Sequence, residues 1–175
     1  MRALPASPPG LALREFTPGD IEDIIRLDGD PAVMRFIGDG RVAGGRPDAV
    51  AAIARVLLRY EERPGTGAWH TTRLHDGAFV GWVSLKPCGE SADIEVGYRL
   101  VPQAWGRGHA TALARAALQH GFRVMALARI IAVTHPGNLA SQRVLAKSGL
   151  RDEGWGHYYG RDLRLFAAYS EAWPS

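Results

Sequence analysis

The sequence is poor in cysteine and contains no long apolar run. Cys88 is the single cysteine among 175 residues, which excludes an internal disulfide framework and a metal site built from several thiolates. No stretch approaches the length of a membrane span, and the proline-rich start MRALPASPPG lacks the apolar core of a signal peptide. We therefore expect a protein of a reducing compartment, the cytoplasm, with no membrane partner.

Dense basic clusters and metal-binding spacings are also missing. The 21 Lys and Arg residues exceed the 18 Asp and Glu residues only slightly, and no basic run is suited to a nucleic-acid backbone. The mild excess favours an anionic small ligand instead. The six histidines are scattered, without HExxH or HxH spacing, so we expect neither a nucleic-acid partner nor a metal.

Length and periodicity predict a flexible tail at residues 1–10 and one domain at 11–175. The predicted elements are a strand at 11–16, helices at 18–27, 31–36 and from 47 to Pro64, strands at 68–74, 78–87 and 92–101, a helix opening within 102–111, a strand at 129–134, a helix at 138–149 and two strands turning near Gly160. This order contains more adjacent hairpins than a doubly wound parallel sheet would have, so the predicted fold class is mixed α+β.

The segment PQAWGRGHAT, residues 102–111, has two glycines, which lack side chains, where a helix is predicted to begin. The first turn of a helix leaves N–H groups without partners, and its dipole favours an anion such as phosphate. Gly106 and Gly108 would let the backbone approach the phosphate closely. The N–H groups from Gly106 to Ala110 would then donate, with the Thr111 hydroxyl and the Arg107 charge beside them.

Two familiar phosphate motifs do not match this segment. The Walker sequence GxxxxGK[ST] is absent, and Thr111 stands where a dinucleotide fingerprint needs its third glycine. ATP or GTP hydrolysis and NAD chemistry are therefore not supported. Taken alone, the GxG pattern fits a tight strand-to-helix turn equally well.

Two blocks together resemble the GCN5-related N-acetyltransferase (GNAT) superfamily. The first is Gln103, Gly106 and Gly108 after EVGYRLVP, and the second is HPGNLASQRVLAKSGL, residues 135–150. The amino-acid sequences of these blocks are most similar to the ribosomal-protein N-acetyltransferase branch (RimJ/RimL-type). The resemblance implies a mostly antiparallel sheet that splays open between the strands at 92–101 and 129–134, with acyl-CoA in the gap.

The resemblance also implies which residues bind acetyl-CoA. The pantetheine arm would bond to the backbone at a strand end, and the pyrophosphate would rest on the glycine loop. The implied set is Leu100, Val101, Gln103, Gly106, Arg107, Gly108, His109, Ala110, Thr111 and Asn138. His109 would contribute through its backbone N–H, and Asn138 is either a plain helix cap, a partner of pantetheine, or both.

Acetyl transfer to an amine needs a base, and Glu95 is the best candidate. It lies on the polar face of its predicted strand, two residues before Gly97. Its alternative role is a structural ion pair with Arg99 or with a neighbouring strand. No covalent intermediate is required, so no catalytic role is expected for Cys88.

The candidate acid is Ser141. The family often places a tyrosine seven residues after the asparagine, but that position here is Leu145, which cannot donate a proton. The ribosomal-type branch can use a serine three residues after the asparagine, and this position is Ser141. Its alternative role is that of an ordinary serine at a helix start.

The expected function is therefore acetyl-CoA-dependent N-acetyl transfer. The acceptor would be a primary amine, on a protein N-terminus or a small molecule, that attacks directly in a ternary complex. The N-terminal helices and the loop at 38–46 should shape its site. A non-catalytic CoA-binding or sensing module is the alternative function, and a homodimer is left open.

Overall fold

A computed structural model describes residues 3–89 and 91–174 of the chain. Residues 1 and 2 of the predicted tail, Glu90, and the last residue of the predicted domain lie outside this part. Residues 3–10 form no helix or strand, but they contact the sheet: Ser7 Oγ accepts a hydrogen bond from Leu13 N–H at 2.9 Å, and Leu4 packs on the core. This segment lies against the fold instead of extending from it as a loose tail.

The helices and strands follow the predicted order. The strands are β1 Leu11–Glu15, β2 Gly67–Arg73, β3 Phe79–Pro87, β4 Ile94–Leu100, β5 Arg129–Thr134, β6 Arg151–Tyr158 and β7 Arg161–Tyr169. The helices are α1 Ile21–Asp28, α2 Pro31–Met34, α3 Arg46–Glu62, α4 His109–Arg123 and α5 Leu139–Lys147. None of the helices in the described residues has the length and apolar character needed to cross a bilayer.

The strands form one sheet in the order β1-β2-β3-β4-β5-β7-β6. Neighbouring strands are antiparallel except β4 and β5, which are parallel. All seven residues of β4 pair with β3, whereas a single pair, Glu95 with Ile131, joins β4 to β5. Beyond Glu95 the two strands diverge, which confirms the predicted mixed fold with a gap in its sheet.

Alternating side chains divide the molecule into two layers around the sheet. On one face, Val96 of β4 packs in the core with Leu113 and Ala117 of α4. On the other face, Ile24 of α1 and Ile53 of α3 pack beneath the sheet. Each fully buried aliphatic side chain contributes about 1.5–3 kcal/mol, so both layers hold the gap between β4 and β5 in place.

The start of α1 differs in detail from its prediction. Thr17 and Asp20 form the expected capping box, but Pro18–Asp20 is a 3₁₀ turn and the α-helix begins at Ile21. The Asp20 carboxylate accepts from Thr17 N–H at 2.7 Å and from both terminal nitrogens of Arg14, at 2.8 and 2.7 Å. These bonds tighten the first turn and attach α1 to β1.

Candidate active site

The loop before α4 exposes its backbone. Gly106 and Gly108 have φ of +72° and +79°, in the left-handed region that suits glycine. The first bond of α4 runs from Ala112 N–H to Gly108 C=O at 3.1 Å, so the N–H groups of residues 109–111 precede the helical ladder. A Cβ on either glycine would meet no protein atom within 4 Å. The space beside both glycines is therefore open, as the close approach of an anion requires.

Trp105 fastens this loop to the end of β4. Its indole N–H donates to Leu100 C=O at 2.8 Å, although 49% of the residue is exposed. Arg107 Nε donates to Gln103 C=O at 3.2 Å, which holds the arginine along the loop. The sequence analysis assigned no role to Trp105. Its place between a strand end and the GxG pattern was the available signal.

His109 offers the loop a backbone N–H and a neutral ring. Its partial burial lowers the pKa of the imidazole, and the positive charges of Arg107 and Arg73 lower this pKa further. The ring is therefore uncharged near neutral pH. Any attraction for an anion here comes from main-chain N–H groups, from the helix dipole and from Arg107.

The two predicted backbone positions, Leu100 at the end of β4 and Val101 just beyond it, differ in their hydrogen bonds. Val101 N–H donates to Val80 C=O on the β3 side at 3.0 Å, and Val101 C=O accepts from Ala104 N–H at 2.9 Å. Backbone groups alternate in direction along a strand, so the N–H of Leu100 points away from β3. Both backbone groups of Val101 already have hydrogen-bond partners within the chain. Of the two residues predicted to bond the pantetheine arm, Leu100 is therefore the better placed.

Ser141 lies in a small hydroxyl cluster at the start of α5. Asn138 caps this helix by accepting from Ser141 N–H at 3.1 Å, and the Ser141 Oγ lies 3.1 Å from the Tyr98 OH. Burial raises the pKa of Tyr98 to about 12, so its phenol keeps its proton. The sequence analysis did not predict this contact of Tyr98. Leu145, at the family's tyrosine position, is buried in the core.

Glu95 is buried, with three hydrogen-bond partners. Its Oε1 forms an ion pair with Lys86 and accepts from Tyr159 OH at 2.7 Å. Its Oε2 accepts from the Cys88 thiol at 3.0 Å. Arg99, the other suggested partner, binds Asp28 at 2.5 Å instead. The ion pair predicted as the alternative role of Glu95 is therefore present, and its partner, Lys86, lies on the neighbouring strand β3.

Cys88 and Tyr159 act as donors to this carboxylate. Burial, together with the adjacent Glu95, raises the pKa of the Cys88 thiol to about 12. Burial and Glu95 also raise the pKa of Tyr159. Tyr159 has a φ of +54° and precedes Gly160, with φ of +72°, in the tight turn between β6 and β7. The thiol is protonated and buried, which makes it unsuited to act as a nucleophile.

A cavity of about 260 Å³ lies between the sheet, α1 and α3. Its lining residues are Phe16, Ile24, Asp28, Ala52, Ile53, Arg55, Val56, Arg59, Ala68, Trp82, Ser84 and Lys86. Lys86 is paired in register with Glu95 on β4, so the cavity and the Glu95 carboxylate share one face of the sheet. The N-terminal helices line this space, whereas residues 38–46 are absent from its walls.

Asp20, Asp23 and His70 form a second polar group near this face. His70 is almost fully buried, and its Nε2 lies 2.8 Å from Asp23 Oδ2. The contact attaches α1 to β2. This histidine therefore serves the packing of α1.

Comparison with known proteins identifies the class. The family model described as "Acetyltransferase (GNAT) domain" matches residues 11–151. The chain therefore belongs to the GNAT acetyltransferase family, as its two sequence blocks predicted.

Individual relatives agree with this assignment. The chain is 33% identical over 155 residues to FsC-acetyl coenzyme A-N(2)-transacetylase of Aspergillus fumigatus, covering 82% of this chain and 60% of that protein. It is similar to the solved GNAT-family acetyltransferase of Bacillus anthracis, with 25% identity, a TM-score of 0.80 and coverage of 96% and 99%. It is also similar to Mycobacterium smegmatis RimJ in complex with CoA-disulfide, with 25% identity, a TM-score of 0.78 and coverage of 98% and 88%.

Proposed function

We propose that the protein transfers the acetyl group of acetyl-CoA to a primary amine, on a protein N-terminus or a small molecule, by direct attack in a ternary complex. One observation carries this proposal. The glycine loop and Ser141 lie on the α4/α5 side of the sheet, whereas Glu95 and the cavity that its partner Lys86 lines lie on the α1/α3 side. Cofactor and acceptor then approach the gap from opposite faces.

The residues around the α4 loop suit the CoA moiety. The pyrophosphate would lie against the N–H groups of residues 106–110, with Thr111 and Arg107 adding a hydroxyl and a charge. Leu100 would bond to the pantetheine arm, which takes the place that a neighbouring strand would fill. The open space in front of both glycines supports this arrangement.

Glu95 would remove a proton from the incoming ammonium, directly or through water. The amine nitrogen would then attack the thioester carbonyl carbon. Because Lys86 and Tyr159 bond the same carboxylate oxygen, they would hold it in place during the transfer. Cys88 would bond to the other oxygen and take no part in covalent chemistry.

The departing sulfur would receive a proton from Ser141 as the carbon–sulfur bond breaks. Asn138 orients the serine backbone, and the Tyr98 phenol lies within hydrogen-bond distance of its hydroxyl. Because Tyr98 is protonated at neutral pH, its phenol would donate a hydrogen bond to Ser141 Oγ and so direct the serine proton toward the sulfur. Tyr98 is thus proposed as a positioning residue for the acid.

The test is release of free thiol from acetyl-CoA in the presence of amines and N-terminal peptides, together with calorimetry of acetyl-CoA binding. We expect Glu95→Gln to lower kcat by about 10²-fold or more, because general bases contribute 10²–10⁴-fold, while acetyl-CoA affinity stays the same. Glu22→Gln is the control, since Glu22 is an exposed carboxylate paired with Arg46.

The outcomes separate the alternatives. An unchanged kcat in Glu95→Gln would remove Glu95 from the mechanism. Acetyl-CoA binding without turnover of any acceptor would favour a CoA-sensing module. A folded protein that does not bind acetyl-CoA would overturn both functions.

A further inference from the structure

The charges that line the α1/α3 cavity are unbalanced. Four charged residues contribute to its wall: Asp28, Arg55, Arg59 and Lys86. Asp28 is bound by Arg99, and Lys86 is bound by Glu95. Within residues 3–89 and 91–174, no carboxylate forms an ion pair with Arg55 or Arg59. The guanidinium groups of Arg55 and Arg59 at this wall therefore have no carboxylate partner among the residues that the structure describes.

Arg55 and Arg59 are placed to act on one anion together. They are four residues apart on α3, so they lie one turn apart on the same side of the helix. Like charges at this spacing repel each other and destabilise a helix. A carboxylate bound between them would relieve this repulsion, and the planar guanidinium matches the geometry of a carboxylate.

The rest of the wall is mainly apolar. Phe16, Ile24, Ile53, Val56 and Trp82 supply most of its side chains. The volume of about 260 Å³ is near the lower limit of small-molecule pockets, which span roughly 300–1,000 Å³. The occupant that fits this wall is small, with an apolar body and an anionic group.

We propose that the acceptor is a small amine that also carries a carboxylate, and that Arg55 and Arg59 bind this carboxylate while the amine lies near Glu95. The inference rests on the proposed function, because it takes the cavity as the acceptor site. Polyamines belong to the opposite class of substrate. Their additional positive charges meet Arg55, Arg59 and Lys86, so the same wall disfavours them.

The first experiment is calorimetry on protein saturated with CoA, so that binding is measured without turnover. The probes are straight-chain ω-amino carboxylates of increasing length, alkylamines of the same lengths, and spermidine. At the best length we expect the carboxylate to bind about tenfold more tightly than its matched alkylamine, as a charge-assisted contact allows. Spermidine should bind more weakly than either.

The second experiment assigns the contact to the two arginines. Arg55→Gln and Arg59→Gln should each remove most of the preference for the carboxylate and leave CoA affinity unchanged. Arg63→Gln is the matched control, because Arg63 is exposed just beyond α3 and lies outside the cavity wall. Equal binding of amino carboxylates and alkylamines at every length, absence of binding by any amino carboxylate, or a preference that survives both substitutions would overturn the inference.

Failure of the inference is distinguishable from failure of the proposed function. If alkylamines are acetylated as efficiently as amino carboxylates, the transferase proposal stands and the carboxylate proposal falls. If amino carboxylates bind with the expected preference but no thiol is released with any amine, the binding site stands and the transferase proposal falls.

Discussion

Tyr98 and Ser141 bring two hydroxyl groups together beside the gap between β4 and β5. Their oxygens are 3.1 Å apart, and the phenol remains protonated because burial raises its pKa to about 12. Under the proposed mechanism, Ser141 protonates the departing sulfur and Tyr98 acts through Ser141. Substitutions in such a unit are expected to be strongly non-additive.

We therefore predict that Tyr98→Phe and Ser141→Ala lower kcat by similar factors, on the order of tenfold or more, and that the double variant falls little further. Steady-state kinetics at saturating acetyl-CoA measure this. Tyr169→Phe is the control, since its hydroxyl bonds to Glu153 instead. Effects that multiply fully in the double variant would show that the two hydroxyls act independently.

Residues whose contacts are local were the most predictable. Asn138 was placed as the cap of α5, and Gly106 and Gly108 at a helix start, because short-range backbone geometry determines these positions. The partners of Glu95 were not identified. Lys86 reaches it through strand register, and Tyr159 lies 64 residues away in sequence. A single sequence carries no local signal for such contacts.

At the scale of the elements, the start of α1 depends on one carboxylate. Burial disfavours the charged form of Asp20, but the hydrogen bonds from Arg14 and Thr17 outweigh burial and lower its pKa below the usual value. A lowered folded-state pKa stabilises the fold above the unfolded pKa of about 4, and this contribution is lost as pH falls below it.

We predict that Asp20→Asn destabilises the protein by about 1.5–3 kcal/mol at pH 7, as expected for loss of hydrogen bonds to a charged group, here those from Arg14. The difference from the natural protein should shrink as pH falls below about 4, because the unfolded carboxyl then takes up a proton while the folded one stays charged, which removes the advantage of the natural side chain. Urea unfolding at several pH values measures it, with the exposed Asp162→Asn as control. A difference that does not change with pH would contradict the role assigned to the Asp20 charge.

The order of elements followed from periodicity and turn residues, and their exact ends did not. Asp76 and Gly77 marked the β2–β3 hairpin, and the final strand pair turns at Tyr159 and Gly160. The predicted helix from Pro18 instead begins with a 3₁₀ turn, because Asp20 is bonded by Arg14 from β1. Contacts between elements adjust helix ends in ways that periodicity does not record.

At the scale of the whole molecule, the gap divides the sheet into two parts joined by one residue pair. A ligand that bridges the parts stabilises the folded state by mass action. We predict that acetyl-CoA at about 100 times its Kd adds about 2.7 kcal/mol, which raises the Tm by about 5–10 °C for a chain of this size. Differential scanning calorimetry provides the measurement.

Two glycine variants control this prediction. Gly108→Ala and Gly77→Ala impose similar strain, because both glycines have left-handed φ, +79° and +69°, and a Cβ on either would meet no protein atom within 4 Å. Only Gly108→Ala should reduce the Tm increase with acetyl-CoA. An equal increase in all three proteins would show that the α4 loop does not bind the cofactor.

The splay of the sheet was implied by the family resemblance, whereas the cavity and its charges were not foreseen. No sequence motif singled out Arg55 or Arg59. They become part of one wall with Trp82 only when α3 packs on β3. Such surroundings are a property of tertiary structure, which the sequence pattern of a single helix does not describe.

The tight turn at Tyr159 and Gly160 has a consequence for laboratory evolution. Both residues have positive φ, which a two-residue hairpin loop favours when Asn precedes Gly, and which a bulky aromatic residue tolerates poorly. Selection for thermostability alone would therefore favour asparagine at 159, and would discard the phenol that bonds to Glu95. Libraries screened only for heat resistance should accumulate this change, and activity should decline as robustness improves.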